Sequence, residues 1–269
     1  MHGELAFATS DHGDDNEAMG RSAPALYLFA GLAAGAIYAT SAFAATLGRD
    51  ALRDVVAACA VAKTALNVSF PCTDVVLGKP DAEGYALIRS PGYASEFLIS
   101  PLSAIDGIES PELRTSAATG LWNAAWTARS DVAAALGRPL ARTALGLAVN
   151  AVASRTQDHF HIHIDCVQQD VSSTLVAGAR GIGEGWAPFP RKLAGRHYWV
   201  RAITAKDLSG VNVPQLIAAA PPAAKAPAGA ATLAVVGARL ADGSDGFYLL
   251  ANWQNTSAER LLDHDCVGR

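Results

Sequence analysis

No G-x-x-x-x-G-K-[ST] run occurs in the 269 residues, so the chain has no phosphate loop of that kind. No C-x-x-C occurs among the four cysteines, and their spacing does not suit a structural zinc site. Lysine is scarce, at five residues, and the formal net charge is −4, which leaves no basis for nucleic-acid binding. Methionine stands only at positions 1 and 19. Long apolar runs are absent after residue 47, so the remainder lies on one side of any membrane the chain meets.

The exception is 23–47, about 25 residues without a charge, long enough for a transmembrane anchor. It also reads as a signal peptide, with Arg21 ahead of the apolar run 26–38 and Ala42-Phe43-Ala44 as a small-x-small cleavage site. Met19-Gly20-Arg21 would make an ordinary signal-peptide start, so translation from Met19 is an expectation. The acidic, aperiodic stretch 1–22 is expected to be disordered. Export makes disulfides the natural state of Cys59, Cys72, Cys166 and Cys266, with three connectivities open. Cys59–Cys72 closes a short local loop and is the natural first pair, which leaves Cys166–Cys266.

Apolar periodicity predicts a helix over 48–66, then strands over 74–77, 85–89 and 97–100 separated by Gly/Pro turns. Ser110 followed by Pro111 predicts a helix start, and one helix is expected to run to 135 or 136 before Gly137, with Trp122 and Trp126 in the core. The apolar run 143–149 predicts a central strand, and 151–157 a turn into the next one.

That next strand carries the chemistry. His159, His161 and His163 alternate with Phe160, Ile162 and Ile164, so on a strand the imidazoles share one face and the apolar residues the other. Neutral imidazole is a usable nucleophile near pH 7. His159 and His161 with Asp165 could instead ligate a metal, giving a metal-dependent hydrolase. Spacing alone does not separate the two. An exported nucleotide- or lipid-binding protein, with the histidines as anion ligands, is the reading outside enzymes.

H-F-H-I-H-I resembles the H-φ-H-φ-H-φ-φ signature of the histidine triad superfamily, departing at Asp165, and the preceding T-A-L-G-L-A-V-N resembles that superfamily's earlier strand. S-R-T-Q-D-H-F-H-I-H-I-D-C, the two cysteine neighbourhoods and F-L-I-S-P…G-I-E-S-P are similar to the bacterial CDP-diacylglycerol pyrophosphatase family, over about residues 59–266. The resemblance implies hydrolysis of CDP-diacylglycerol to CMP and phosphatidate, without a metal or other cofactor. His161 would be the nucleophile and His163 would orient it, while His159, Arg155 and Gln157 would meet phosphate oxygens. Ser154 would lie at the same mouth, and Asn150 would stand behind the site or on its ribose side. It further implies an inner-membrane enzyme with a single N-terminal span, its catalytic part periplasmic, and no obligate protein partner.

The fold class expected is α+β, a histidine-triad-like antiparallel sheet with helices behind an N-terminal apolar helix. The second half echoes the first. W-V-R-A-I-T followed by G-V-N-V-P-Q-L matches F-L-I-S-P-L followed by G-I-E-S-P-E-L, and 232–238 matches 144–150. An internal duplication follows, with 48–178 as the catalytic half and 179–269 as a degenerate copy in which Phe247, Leu249 and Ala251 replace the histidines. Asp263-His264-Asp265-Cys266 reads as a polar surface tail.

Overall fold

A computed structural model describes residues 48–267. The acidic leader, the apolar run at 23–47 and the start at Met19 lie outside the described residues. Among those described, no helix is long and apolar enough to cross a membrane.

The fold is α+β, built on one large antiparallel sheet. Helix α1 (Ala51–Leu66) leads to β1 (Asp74–Val76), β2 (Tyr85–Arg89) and β3 (Phe97–Pro101). Helices α2 (Ser116–Thr127) and α3 (Arg129–Ala135) precede β4 (Leu145–Val149) and β5 (Ile162–Val167). Then come α4 (Gln169–Gly178), β6 (Ala187–Pro188), β7 (Trp199–Thr204), α5 (Val213–Ala218), β8 (Thr232–Arg239), β9 (Asp245–Asn252) and β10 (Leu262–Asp263). The sheet order is β1-β2-β3-β5-β4-β8-β9-β7-β6, with β10 also on β5. The order β3-β5-β4 is repeated as β7-β9-β8, and β4 pairs with β8 where the two sets meet.

Alternation along the strands sends side chains to two covered faces. Ile164, Leu147, Val235 and Leu249 are cross-strand partners in one row and pack with Leu121, Trp122, Trp126 and Ile217 of the helices. Trp122 and Trp126 are fully enclosed, as the sequence predicts. The opposite row runs Leu98, His163, Ala148, Ala234, Leu250 and Val200. On that face Leu52, Val56 and Cys59 of α1 cover Ala86, Ile88 and Leu98. Val171 and Leu175 of α4, with Ala258 and Leu261, cover Ala148, Ala234 and Leu250. His163 lies in its row between the strands covered by α1 and those covered by α4.

This register corrects the expected match between halves. Phe247, Leu249 and Ala251 belong to the same core as Phe160, Ile162 and Ile164, not to the histidine face. The row through His163 reaches Leu250 instead. A shift by an odd number of residues exchanges the faces of a strand.

The single helix expected over 110–136 is also corrected. Pro111–Arg114 is a 3₁₀ turn, and Thr115 is extended, its hydroxyl accepting from the Ala118 N–H to start α2. Around Ala128 the side chains of Arg129 and Ser130 donate to the carbonyls of Trp126 and Thr127, where α2 gives way to α3. The expected pairings Cys59–Cys72 and Cys166–Cys266 are both present.

Candidate active site

The ordered strand begins at Ile162, so only His163 of the three histidines stands on β5, and the single-strand row is corrected. His159 and His161 lie in the segment leading in. That segment is held by the Phe160 N–H donating to the Ile105 carbonyl, and by Ser100 donating to the Phe160 carbonyl. All three rings are buried: His159 is 1 %, His161 8 % and His163 6 % exposed.

Each ring has a different partner. Nε2 of His159 is 3.0 Å from the Pro101 carbonyl, and Nδ1 has no hydrogen-bond partner among the described residues. Nδ1 of His161 is 2.7 Å from the His159 carbonyl. A carbonyl only accepts, so His161 carries its proton on Nδ1 and bares the lone pair of Nε2. Burial drives its pKa down to about 3, with the neighbouring His163 adding to the effect, so the ring is neutral near pH 7. Burial lowers His159 as well. The His161 and His163 rings meet edge to face with centroids 4.8 Å apart.

Behind His163 stands a network that the sequence reading missed. Its Nδ1 lies 2.9 Å from Oε1 of Glu96 and 3.3 Å from Oε1 of Glu259. Glu96 is 1 % exposed; burial alone would raise its pKa, but the bond and charge of His163, with Ser90 and His264, hold it below the usual value. Glu259 accepts from Nδ2 of Asn150 at 2.6 Å, and Oδ1 of Asn150 accepts from the Ala258 N–H. Asn150 therefore reaches His163 through Glu259. On the other side, Nδ1 of His264 lies 2.9 Å from Oδ2 of Asp165 and 3.4 Å from Oε1 of Glu96. The bond to Asp165 raises the His264 pKa. His264 is thus not the surface residue expected. β10 pairs beside Cys166, the Cys166–Cys266 bridge pins the tail, and together they bring His264 onto Asp165. That bridge was the available signal, because the cysteines are neighbours of both residues. Glu96 and Glu259 had none in the sequence.

The residues expected at the mouth are largely committed to the protein. Arg155 donates to Glu109 at 2.6 Å and to Asp158 at 2.9 Å. Asp158 is also clamped by Arg49, which, ahead of Arg155, keeps its carboxyl far below the usual range. Gln157 accepts from the Leu52 N–H and so caps α1, and Ser154 bonds the Ala151 carbonyl. Gln157, expected to meet phosphate oxygens, thus has its side-chain oxygen engaged by α1, and Ser154, expected at the mouth, has its hydroxyl engaged by its own turn. Arg155 and Asn150 nevertheless line a small indentation with His159, His161, Gly107 and Ile108.

The metal triple His159, His161 and Asp165 is not gathered among the described residues. Among the described residues the clusters with metal-like donor spacing are Glu96, His163, Glu259 and Glu96, Asp165, His264, whose donors bond one another, and Asp165 with Cys166 and Cys266, whose sulfurs are tied in a disulfide. The arrangement offers a neutral, tautomer-fixed imidazole beside a second histidine backed by carboxylates, which is suited to nucleophilic catalysis.

Residues 47–268 match the family model described as CDP-diacylglycerol pyrophosphatase. A protein of Yersinia pestis named CDP-diacylglycerol pyrophosphatase is 36 % identical over 202 residues, 73 % of this chain and 75 % of the relative. The chain belongs to the CDP-diacylglycerol pyrophosphatase family.

Proposed function

We propose that the chain hydrolyses the pyrophosphate bond of CDP-diacylglycerol, giving CMP and phosphatidate, with His161 as nucleophile. Family membership supports the reaction. The observation that carries the mechanism is the His161 Nδ1 bond to the His159 carbonyl, which leaves Nε2 as the attacking atom.

Nε2 attacks one of the two phosphorus atoms, the N–P bond forms and the bridging P–O bond breaks. The leaving phosphate departs, and water then cleaves the N–P bond to release the second product. Two easier displacements replace one difficult attack by water. Among the described residues the buried Nε2 of His163 has no partner, and it is open to a phosphate oxygen beside the His161 ring. Glu96 and Glu259, both at Nδ1, fix the ring of His163. In neutral His159 the proton sits on Nε2 against the Pro101 carbonyl, so Nδ1 can only accept, and it is Arg155 that puts a donor, its guanidinium, at the edge of the indentation.

In this reading the sheet is histidine-triad-like and duplicated, β7-β9-β8 being the degenerate copy of β3-β5-β4. The apolar stretch at 23–47 would hold the catalytic part at the periplasmic face of the inner membrane, beside a substrate that lies in the bilayer surface.

The test is CMP release from CDP-diacylglycerol in EDTA by the full chain and by His161→Ala, with acid-labile phosphohistidine sought after quenching. Release and a labelled His161 in the parent, both lost in a folded variant, is the expected result. Equal release by the variant sinks the nucleophile assignment, and loss of parental activity in EDTA reopens metal chemistry.

A further inference from the structure

Helix α1 is apolar on two sides. Leu52, Val56 and Cys59 pack on Ala86, Ile88 and Leu98 of the sheet. Ala57, Ala58, Val61 and Ala65, also at helical spacing, face solvent. A helix with one buried side ordinarily carries charged or polar residues on the other. Here residues 55–73 hold a single charge, Lys63. The chain beyond continues the apolar surface, with Leu66 73 %, Val68 47 % and Phe70 77 % exposed. Together with Val61, these make four of the nine large exposed apolar side chains among the described residues, all within 61–70. Single exposed apolar residues are ordinary, whereas a cluster marks a contact surface. The Cys59–Cys72 bridge ties the loop back to the helix, so Phe70 is presented from a braced support. The chemistry above makes no use of this face.

We propose that this face rests on a lipid bilayer, with Val61, Leu66 and Phe70 entering the boundary between headgroups and acyl chains. Three observations choose that occupant. The uncharged run 23–47 is long enough to span a bilayer, and residues 48–50 alone separate it from α1. Residues 55–73 carry one cation and no anion, so nothing on them repels anionic headgroups. The start of α1 is also joined to the histidine loop: the side chains of Arg49 and Arg53 bond Asp158, and the Leu52 N–H donates to Gln157. A 16-residue helix is about 24 Å long, so laid along the lipid it keeps the loop ahead of His159 near the surface in which the substrate lies. That last step rests on the reading of the substrate above.

The test places Phe70→Trp in the full chain, reconstituted in phosphatidylcholine and phosphatidylglycerol vesicles with or without bromine on the acyl chains, and subtracts the emission of the parent. Brominated lipid should quench roughly half of the added indole's emission. An added indole open to aqueous acrylamide would overturn the proposal. So would one shielded from acrylamide yet untouched by bromine, which would give the face to a second copy or to residues 23–47. Phe70→Asp and Val61→Asp, both at exposed positions, supply a second reading. KM for CDP-diacylglycerol in vesicles should rise about tenfold, while turnover of a monomeric dibutyryl substrate stays within about twofold of the parent. An unchanged KM would likewise overturn the proposal. Quenching needs no turnover, so a quenched indole without CMP release would sink the reaction and leave the lipid contact supported.

Discussion

Nδ1 of His163 and Oε1 of Glu96 are 2.9 Å apart, and both side chains are almost wholly buried. Glu96 stands just ahead of β3, next to the strand that carries His163, so the backbone itself sets the pair. In Glu96→Gln the shape is kept and the charge removed. kcat should fall about 100-fold with little change in KM, as for loss of an aid to proton transfer. Steady-state kinetics with circular dichroism on the same sample checks this; a variant as fast as the parent would leave Glu96 a purely structural group.

Asn150 holds Glu259 in reach of His163 through a 2.6 Å bond. Asn150→Asp sets two carboxylates against each other in a buried place, so stability should fall by about 1–3 kcal/mol and activity with it. Glu259→Gln added to Asn150→Asp should recover stability, because the repulsion is gone. A thermal-unfolding double-mutant cycle reads the coupling, and simple additivity would refute it.

The two disulfides should differ in what they support. Cys166 and Cys266 enclose a separation of 100 residues, Cys59 and Cys72 one of 13. Chain entropy predicts losses of about 4–5 and about 3 kcal/mol when each pair is replaced by serine. Only the first replacement frees the tail that places His264 on Asp165, so only it should lower kcat at a temperature where both variants remain folded.

His161 makes the folded state sensitive to acid. Its pKa is about 3 in the fold and near 6.5 unfolded, so the unfolded chain takes up the proton first as pH drops. The stability held above pH 6.5 is lost progressively between 6.5 and 3. His264 acts in the opposite sense, since its raised value contributes stability below pH 6.5 that fades as pH rises through the folded value. Urea unfolding at pH 7 and pH 4.5 should show a smaller loss in His161→Gln than in the parent; an equal loss would deny that His161 is a neutral buried ring.

Much was legible in the chain because the signals were local. Strand β2 is found where the apolar run between Gly/Pro turns put it, Trp122 and Trp126 are buried as their helical spacing implied, and both cysteine pairs formed. The three histidines were visible as a motif. Their alternation nevertheless failed as a guide to geometry, since His159 and His161 precede the strand and bond to the backbone of their own loop and of Pro101.

What the sequence alone determined is most of the strands and the first helix, the nucleophile candidate and the covalent ties, because periodicity, residue chemistry and cysteine count are properties of neighbours along the chain. Tertiary structure decided which carboxylates serve the histidines. Glu96 is far along the chain from Glu259 and His264, which share the C-terminal segment, and only sheet pairing, the turn at Asn150 and the Cys166–Cys266 bridge put them within hydrogen-bond reach of the histidine strand. It also decided that Arg155 and Gln157 hold the loop and α1 together, since a buried guanidinium takes the nearest carboxylates and a helix end the nearest amide oxygen.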